Sequence, residues 1–280
     1  MIQKSYDNKP SLYLIPTPIG NLEDITIRSL NTLKMVDVVL CEDTRTTGIL
    51  LKKYDIKKRL ISCHEYNEDK VVDVVENLLK DGKQIGLVTD QGTPIISDPG
   101  YIMTRNLIKK GYNVIGLPGA TAFVPALISS GLEPSPFLFY GFLNAKNSKQ
   151  IDELKKLKNY SFTIIFYESV HRLEKTIMNM LEVFGNREIS ICREISKIHE
   201  EVCRGKIKDI LPLVKNFKGE FVLVVEGNKE KESFENISIV EHVKMYIDDD
   251  LSEMEAIKIV ARERGVSKSV IYNEYHKSKK

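Results

Sequence analysis

Three apolar, β-branched runs, each ending directly in a turn rich in glycine and proline, constrain the fold of this chain most. They cover residues 12–15, 85–89 and 113–117, and the turn begins at the next residue in each case. Short continuous apolar runs are typical of buried strands, and parallel strands are buried on both faces. Because ligands of open parallel sheets lie outside the carboxyl ends of the strands, the turns predict one shared pocket for a small polar or flat ligand.

The order of the predicted elements indicates two α/β domains. In residues 1–133, short apolar runs alternate with helical patterns such as residues 67–81, which predicts a parallel sheet covered by helices on both faces. Nine of the ten prolines lie at or before Pro136, and this change in composition predicts a domain boundary. Residues 134–228 contain further strand and helix patterns, for which we expect a second α/β domain with a mixed sheet.

The C-terminal part of the chain has a different pattern. Residues 228–236 are charged and lack periodic apolar positions, so they predict a linker to a helical module at residues 237–280. The module contains a helix, a glycine-containing turn and a second helix, which resembles a helix-turn-helix pair. From residue 256 onward it carries an excess of five positive charges. A basic helical module of this kind is consistent with binding to nucleic-acid phosphates. It is almost equally consistent with a helical appendage whose charges are only solvated.

The whole chain carries a net charge of only +2, so composition alone does not indicate a nucleic-acid partner. Its four cysteines are spread without C-x-x-C spacing, and we expect neither a zinc site nor a disulfide framework, nor any other metal site. No apolar stretch reaches about 18 residues and the N-terminus is polar, so neither a membrane span nor a signal peptide is expected. These features predict a cytoplasmic globular protein without a membrane partner.

The three turns differ in their chemistry. In the first, Pro16 and Pro18 fix the backbone before Gly20 releases it, which suits either a ligand-binding loop or a sharp strand–helix connector. In the second, Gly92 permits close backbone approach, and Asp90 either accepts hydrogen bonds from a ligand or caps its own turn. The third places small residues at a helix start, where N–H groups favour a carboxylate or phosphate. None matches the P-loop or G-x-G-x-x-G pattern, so triphosphate and dinucleotide sites are disfavoured.

Charged residues follow several other predicted strands. Glu42, Asp43 and Arg45 come directly after the second strand, where they either orient a substrate or form a local salt-bridged cap. Asp98 precedes Pro99, so we expect this pair to begin the next helix with proline at its first position. Arginine, histidine and glutamate recur around the same predicted cleft, at residues 166–172, 193–194 and 199–201. This recurrence modestly favours a functional role over a structural one for these residues.

The chain carries five ordered motifs, at residues 17–22, 42–45, 90–100, 166–172 and 219–222. Together they resemble the RsmI-type ribosomal RNA methyltransferases of the tetrapyrrole-methylase superfamily, and the resemblance spans nearly the whole chain. It implies two α/β domains with S-adenosylmethionine in the cleft between them, and a homodimer. It also implies 2′-O-methylation of a cytidine ribose (position 1402 type) in 16S ribosomal RNA, either as free RNA or in the small ribosomal subunit.

The resemblance assigns cofactor binding to turns of the first domain, at Pro18, Gly20, Asp90, Gly92, Thr93, Pro94 and Thr121. A ribose hydroxyl is a poor nucleophile, so a base or orienting carboxylate would speed its methylation by about 10²–10⁴-fold. We hypothesise that this carboxylate is one of four, namely Glu42, Asp43, Glu168 or Glu200. Flanking phosphates would then be held by three arginines, Arg45, Arg172 and Arg193.

Two other functions remain open at this point. A methylase of a small tetrapyrrole, or of another small substrate on the same fold, would not need the basic helical module. A non-enzymatic ligand sensor whose terminal helices bind nucleic acid would bind its ligand without turnover. The many charged residues around the predicted cleft argue mildly against the sensor.

Overall fold

The structure is a computed structural model that describes residues 2–5, 7–64, 67–229, 237–248 and 251–277. The chain divides into two compact units, one within residues 1–228 and the other within residues 229–280. None of the helices in the described part of the chain combines the length and the apolar character needed to cross a bilayer.

The first sheet has five short strands: β1 (Ser11–Leu14), β2 (Val38–Cys41), β3 (Arg59–Ser62), β4 (Ile85–Leu87) and β5 (Asn113–Gly116). Their order is β3-β2-β4-β1-β5 and all neighbours are parallel, which confirms the predicted parallel sheet. The helices between and after the strands are α1 (Ile27–Met35), α2 (Thr44–Lys53), α3 (Glu68–Lys80), α4 (Tyr101–Lys109) and α5 (Phe123–Ser130). A single turn of 3₁₀ helix precedes α1 at Leu22–Asp24.

Helices cover both faces of this sheet, as the continuous apolar runs predict. On one face, Leu40 packs with Val75 of α3 and Leu107 of α4. On the other face, Val39 packs with Leu33 of α1, and the same cluster includes Leu51 of α2. Since successive strand residues point to opposite faces, a run without polar interruptions serves both layers of the core.

The second sheet has the strands β6 (Phe137–Phe142), β7 (Thr163–Ser169), β8 (Glu188–Arg193), β9 (Glu201–Lys206) and β10 (Glu220–Val225). Their order is β6-β7-β10-β8-β9, and only β6 and β7 are parallel, so the expected mixed sheet is confirmed. The helices of this half are α6 (Asn147–Leu157), α7 (Leu173–Phe184) and the short α8 (Ile207–Ile210), with a 3₁₀ turn at Val214–Asn216.

Helix α5 links the two sheets. It follows β5 of the first sheet, but its Ala126 and Leu127 pack against Cys192 and Val222 of the second. The predicted boundary after residue 133 comes after this helix, and it stays a prediction. Because α5 covers one face of the second sheet, the turn that leads into it, at residues 118–122, lies where the two sheets approach each other.

The described residues of the second unit form the helices α9 (Ile239–Asp248), α10 (Glu253–Glu263) and α11 (Lys268–Lys277). Ser252 and Glu255 form a capping box at the start of α10, as Ser252-Glu253-Met254-Glu255 suggests. A small core that includes Val243, Ile257 and Ile271 holds the helices together. The predicted helical module is therefore present, while residues 230–236 of the predicted linker and residues 278–280 lie outside the described residues.

Candidate active site

A cavity of about 540 Å³ lies where turns of the first sheet meet the second sheet. The first half contributes residues after β4, including Asp90, Gly92 and Asp98, and the start of α5. The second half contributes the end of β7 and the turns flanking β8 and β10. Pockets of this volume are typical of small-molecule sites.

The three glycine–proline turns are hydrogen-bonded to one another at this edge. Thr17 and Gly92 exchange two backbone hydrogen bonds, Thr17 N–H to Gly92 O at 2.9 Å and Gly92 N–H to Thr17 O at 3.1 Å. The hydroxyl of Thr93 donates to Ala120 O at 2.9 Å. The turn after β4 is thereby fixed to the turns after β1 and β5, so the three turns lie together as their positions after parallel strands predict.

Gly92 lies in close contact with the two neighbouring turns. Its φ is +87°, and a Cβ atom there would lie 3.2 Å from Ile19 Cγ2 and 3.7 Å from Ala120 O. The positive φ favours glycine, and an added Cβ atom would also press against the Ile19 side chain. A bare backbone in a cavity wall is the kind of cradle against which a flat or extended ligand packs, so this edge fits a small ligand of that shape.

Tyr167 of β7 reaches across the cavity from the second sheet. Its hydroxyl interacts with the Thr121 side chain and with the backbone of Ala122 and Phe123, and burial raises its pKa. Phe139 and Phe142 pack against the tyrosine ring with centroid distances of 5.0 and 5.5 Å. Sequence reasoning missed Tyr167, although it lies within the motif at residues 166–172.

Asp98 also lines the cavity, and the sequence interpretation of this residue was wrong. It does not begin a helix, because α4 starts at Tyr101 with Gly100 as its N-cap at φ +123°. Burial raises the pKa of Asp98 to about 6, and the charges of Glu42 and Asp90 act in the same direction. The signal available in the sequence was its place eight residues after Asp90, in a loop with an unusual density of glycine and proline.

Asp90 and Glu42 lie near Asp98 at the ends of β4 and β2. Burial raises the pKa of both carboxyls, and the charge of Asp90 raises that of Glu42 further. Asp90 accepts a hydrogen bond from Asp43 N–H at 3.3 Å. Asp90 lines the cavity, whereas Glu42 is exposed beside it and is not part of its wall.

Asp43 and Arg45 form the local cap that the sequence left open as an alternative. Asp43 is the N-cap of α2, accepts from Arg45 N–H at 2.7 Å and pairs with the Arg45 guanidinium at 2.8 Å. These bonds lower the Asp43 pKa to about 2. Neither side chain lines the cavity, and a carboxylate so strongly acidic is a poor proton acceptor.

Glu168 lies at the cavity wall, but its carboxylate is fully engaged. Its side chain is buried, and it accepts from Ser169 N–H, Arg172 Nε and the Thr176 hydroxyl at 2.8, 2.8 and 2.6 Å. Arg172 also donates to Leu143 O at 3.0 Å. The pair therefore joins β7, α7 and the end of β6, and Arg172 is turned toward Glu168 and the backbone.

Arg193 and Glu200 lie outside the cavity wall. Arg193 donates to Lys218 O at 2.5 Å and to Glu201 at 2.9 Å, so it holds the turn before β10. Glu200 accepts from Ser196 N–H at 2.5 Å and lines a shallower hollow beside the cavity, together with Thr121. Pro18 and Pro94 shape the turns without lining the cavity.

Gly20 is explained by a residue that sequence reasoning missed, Lys197. A Cβ atom on Gly20 would overlap the Lys197 side chain, which lies across the turn after β1. Lys197 lines the cavity and forms ion pairs with Glu194 at 3.1 Å and Glu220 at 2.7 Å. The bare backbone of Gly20 therefore lets a side chain of the second sheet close one side of the site.

Of the residues predicted from the sequence, five line the cavity: Asp90, Gly92, Thr93, Thr121 and Glu168. No group of histidine, cysteine, aspartate and glutamate in the described ranges has the arrangement needed to hold a metal ion. The cavity thus combines a bare-backbone edge, a half-buried tyrosine and carboxylates of raised pKa, an arrangement suited to binding a polar cofactor and accepting a proton.

Comparisons with known proteins agree with this geometry. Residues 11–211 match the family model "Tetrapyrrole (Corrin/Porphyrin) Methylases". The chain is 46% identical to "Ribosomal RNA small subunit methyltransferase I" of Halalkalibacterium halodurans and 44% identical to the protein of that name from Bacillus subtilis, each alignment covering 98% of both chains. A protein of the same name from Thermotoga maritima is 44% identical over 221 residues, which are 78% of this chain and 99% of that relative.

Solved structures support the fold. A uroporphyrin-III-C-methyltransferase from Thermus thermophilus superposes with a TM-score of 0.57 at 20% identity, covering 78% of this chain and 94% of that one. A cobalt precorrin-4 methyltransferase gives a TM-score of 0.58 at 16% identity, covering 81% and 98%. At this identity the similarity concerns the arrangement of strands and helices alone.

Proposed function

The chain belongs to the tetrapyrrole methylase family and, within it, to the ribosomal RNA small subunit methyltransferases I, and from this premise we propose that it methylates the 2′-hydroxyl of a cytidine ribose in 16S ribosomal RNA. The observation that carries the proposal is the identity of 46% over almost the full length of both chains, since the relative's name specifies small-subunit RNA.

The methyl donor is S-adenosylmethionine, which when bound supplies an electrophilic methyl group on a sulfonium. The residues at the cavity fit such a group. Gly92 and Thr93 would bind it through their backbone, and Asp90 would accept hydrogen bonds from a hydroxyl or ammonium group. Thr121 and Tyr167 would close the opposite side, because their side chains already interact there.

Positioning accounts for much of the acceleration that this site can supply. An in-line displacement with a good leaving group gains up to roughly 7–11 kcal/mol when donor and acceptor are held in reacting geometry. The hydrogen bonds between the turns make the first-sheet wall rigid, and the Glu168–Arg172 pair does the same for the end of β7. We assign Glu168 and Arg172 to this supporting role.

We propose that the C-terminal unit binds the RNA. Its last two helices, α10 and α11, present four exposed basic side chains that are available to phosphates, namely Lys258, Arg262, Lys268 and Lys277. The Arg264 side chain is part-buried instead and holds the unit together, because it donates to His242 Nδ1 at 3.1 Å and to Ile237 O at 2.7 Å. The family model ends at residue 211, before this unit begins, so we expect this unit to add affinity rather than chemistry.

We also propose that the protein works in the cytoplasm as a homodimer. The supporting feature is apolar surface around α5: Ile128 is 73% exposed on this helix, and Ile198, before β9, is 94% exposed. Arg204 of β9 donates to Ser129 O of α5 at 2.6 Å, so β9 and α5 are neighbours. Light scattering at micromolar concentration would report twice the chain mass of 32.0 kDa for a dimer, and the single-chain mass would contradict it.

The methylation is tested with S-adenosylmethionine labelled in its methyl group. The protein is incubated with naked 16S RNA, with small subunits that lack the modification, or with uroporphyrinogen. We expect label on RNA in one of the first two reactions and none on the tetrapyrrole. Label on the tetrapyrrole alone would favour the small-substrate alternative, and cofactor binding without transfer to any acceptor would favour the sensor.

A further inference from the structure

The loop between β4 and α4 holds Asp98 in an unusual backbone conformation. Ile95 and Ser97 have φ angles of +75° and +66°, and glycines at both ends of the loop, Gly92 and Gly100, are also at positive φ. A positive φ at a β-branched residue is a genuine outlier, and such residues cluster at functional sites. The conformation directs a polar residue of this loop into the cavity wall.

The strained loop is anchored on both sides. Gly92 is bonded to Thr17, and the first turn of α4 is held by the buried Glu68, which accepts from Met103 N–H at 2.7 Å. Gly100 packs so closely that a Cβ atom would lie 2.7 Å from Leu87 Cδ2. The position of Asp98 is therefore set by the core of the first sheet rather than by the solvent-facing loop.

The other carboxylates of the cavity wall already have partners among the described residues. Glu168 is paired with Arg172, and Glu194 and Glu220 share Lys197. Asp90 accepts the backbone N–H of Asp43. The Asp98 carboxylate interacts with the Thr89 side chain, which lowers its pKa, but it takes part in no ion pair in the described part of the chain, so a substrate would meet it without a protein cation beside it.

The groups that face Asp98 set its charge. Glu42 from the end of β2 and Asp90 from the end of β4 repel its anion, and Tyr167 of β7 lies close enough for the two groups to interact. Lys197 and His171 line the same cavity, and the charge of Lys197 is compensated by its two glutamates. Burial leaves the Asp98 pKa near 6, so the group is ionised at neutral pH and still basic enough to accept a proton.

We infer that Asp98 is the general base that takes the proton from the acceptor hydroxyl, an inference that rests on the proposed function. The O–H bond of the ribose breaks and its proton passes to a carboxylate oxygen of Asp98. The oxygen electron pair forms the new C–O bond to the methyl carbon. The methyl–sulfur bond breaks and its electron pair stays on sulfur, which becomes a neutral thioether. Water then removes the proton from Asp98.

The test compares wild type with Asp98→Asn, Asp98→Glu and a matched control, Asp81→Asn, an exposed aspartate after α3. Single-turnover methylation of small subunits is measured from pH 5 to 8, and S-adenosylmethionine affinity is measured separately by calorimetry. We expect Asp98→Asn to lower the rate by about 10²-fold or more with unchanged cofactor affinity. Asp98→Glu should recover part of the rate, and Asp81→Asn should behave as wild type.

The pH profile separates a base from a structural residue. For wild type, kcat/KM should rise tenfold per pH unit below about pH 6 and become level above it, because only the ionised carboxylate accepts a proton. Asp98→Asn should lose this acidic limb.

Three results would overturn the inference. One is an Asp98→Asn variant with near wild-type rate. Another is an Asp98→Asn variant that no longer binds S-adenosylmethionine, which would make Asp98 a cofactor ligand. The third is a wild type that labels no RNA, which would overturn the proposed function and this inference with it. In the first two results the wild type still methylates RNA, so a failure of this inference can be distinguished from a failure of the proposed function.

Discussion

At the scale of single residues, the partners of each carboxylate decide what it does. Asp43 and Asp98 come after strands of the first sheet and Glu168 lies at the end of β7, yet the first is a cap, the second is an acid in a cavity wall and the third belongs to a buried ion pair. Residue type and position after a strand predict that acids gather at this edge. They do not predict which acid forms an ion pair with an arginine, because the arginine comes from the neighbouring turn of a helix or is brought there by the tertiary fold.

The Glu168–Arg172 pair provides the first prediction. Arg172→Ala leaves the carboxylate of Glu168, whose side chain is 0% exposed, without its cation. The free energy of unfolding should fall by on the order of 3 kcal/mol, as expected when one partner of a buried pair is removed. Urea denaturation measures the loss. Arg45→Ala, which breaks the exposed cap pair, is the control and should change stability little.

At neutral pH, the ionised Asp98 should lower the free energy of unfolding. Its folded-state pKa of about 6 lies above the ordinary 3.8, so the folded protein binds the proton more tightly than the unfolded chain does. The stability that protonated Asp98 contributes is fully present below about pH 4 and is lost as pH rises through about 6. Asp98→Asn should therefore raise Tm at pH 8 by on the order of a few degrees and change it little at pH 4. An equal shift at both pH values in thermal melts would contradict the assignment.

At the scale of elements, the site is built from turns that hold one another. The sequence predicts the alternating strands and helices and the gathering of the three turns, because apolar periodicity and glycine–proline punctuation are local signals. It predicts a helix from Tyr101, but it does not predict that α5 covers the second sheet or that Asp98 lies in a cavity wall instead of at a helix start. Both depend on packing between distant segments, and the strained loop overrides the preference of proline for a helix start.

Gly92 tests the role of the bare backbone. Gly92→Ala combines the penalty of a positive φ with a Cβ atom 3.2 Å from Ile19, whereas Gly82→Ala meets the same penalty at φ +80° with open space around it. Both variants should lose roughly 1 kcal/mol of stability. Only Gly92→Ala should also weaken S-adenosylmethionine binding, by about tenfold or more, which corresponds to about 1.4 kcal/mol. Equal cofactor affinities in calorimetry would show that this edge is not the cofactor cradle.

At the scale of the whole molecule, the proposed function assigns chemistry and RNA capture to different units. The cavity lies within residues 1–228, and the family model covers residues 11–211 of the same unit. The helical unit carries exposed lysines and arginines that suit a phosphate backbone. The positive excess is confined to residues 256–280, where seven lysines and arginines stand against two glutamates, whereas residues 229–280 as a whole carry ten basic and eleven acidic residues.

The helical unit should govern the salt dependence of RNA binding. Replacing Lys258, Arg262 and Lys268 by glutamine in the full chain should weaken binding to small-subunit RNA. It should also reduce the slope of log affinity against log salt by about one for each phosphate that the protein no longer binds. The rate at saturating RNA should remain near that of wild type. Glutamine at three exposed lysines of the other unit, Lys34, Lys70 and Lys149, is the control, and an equal weakening there would contradict a localised RNA surface.

The identity of the methylated nucleoside is the central claim. Small subunits that lack the modification are incubated with the protein and S-adenosylmethionine, and their 16S RNA is digested to nucleosides for mass spectrometry. We predict one new product, cytidine carrying its methyl group on the ribose 2′-oxygen. A methyl group on a base, or no methylated nucleoside at all, would contradict this claim.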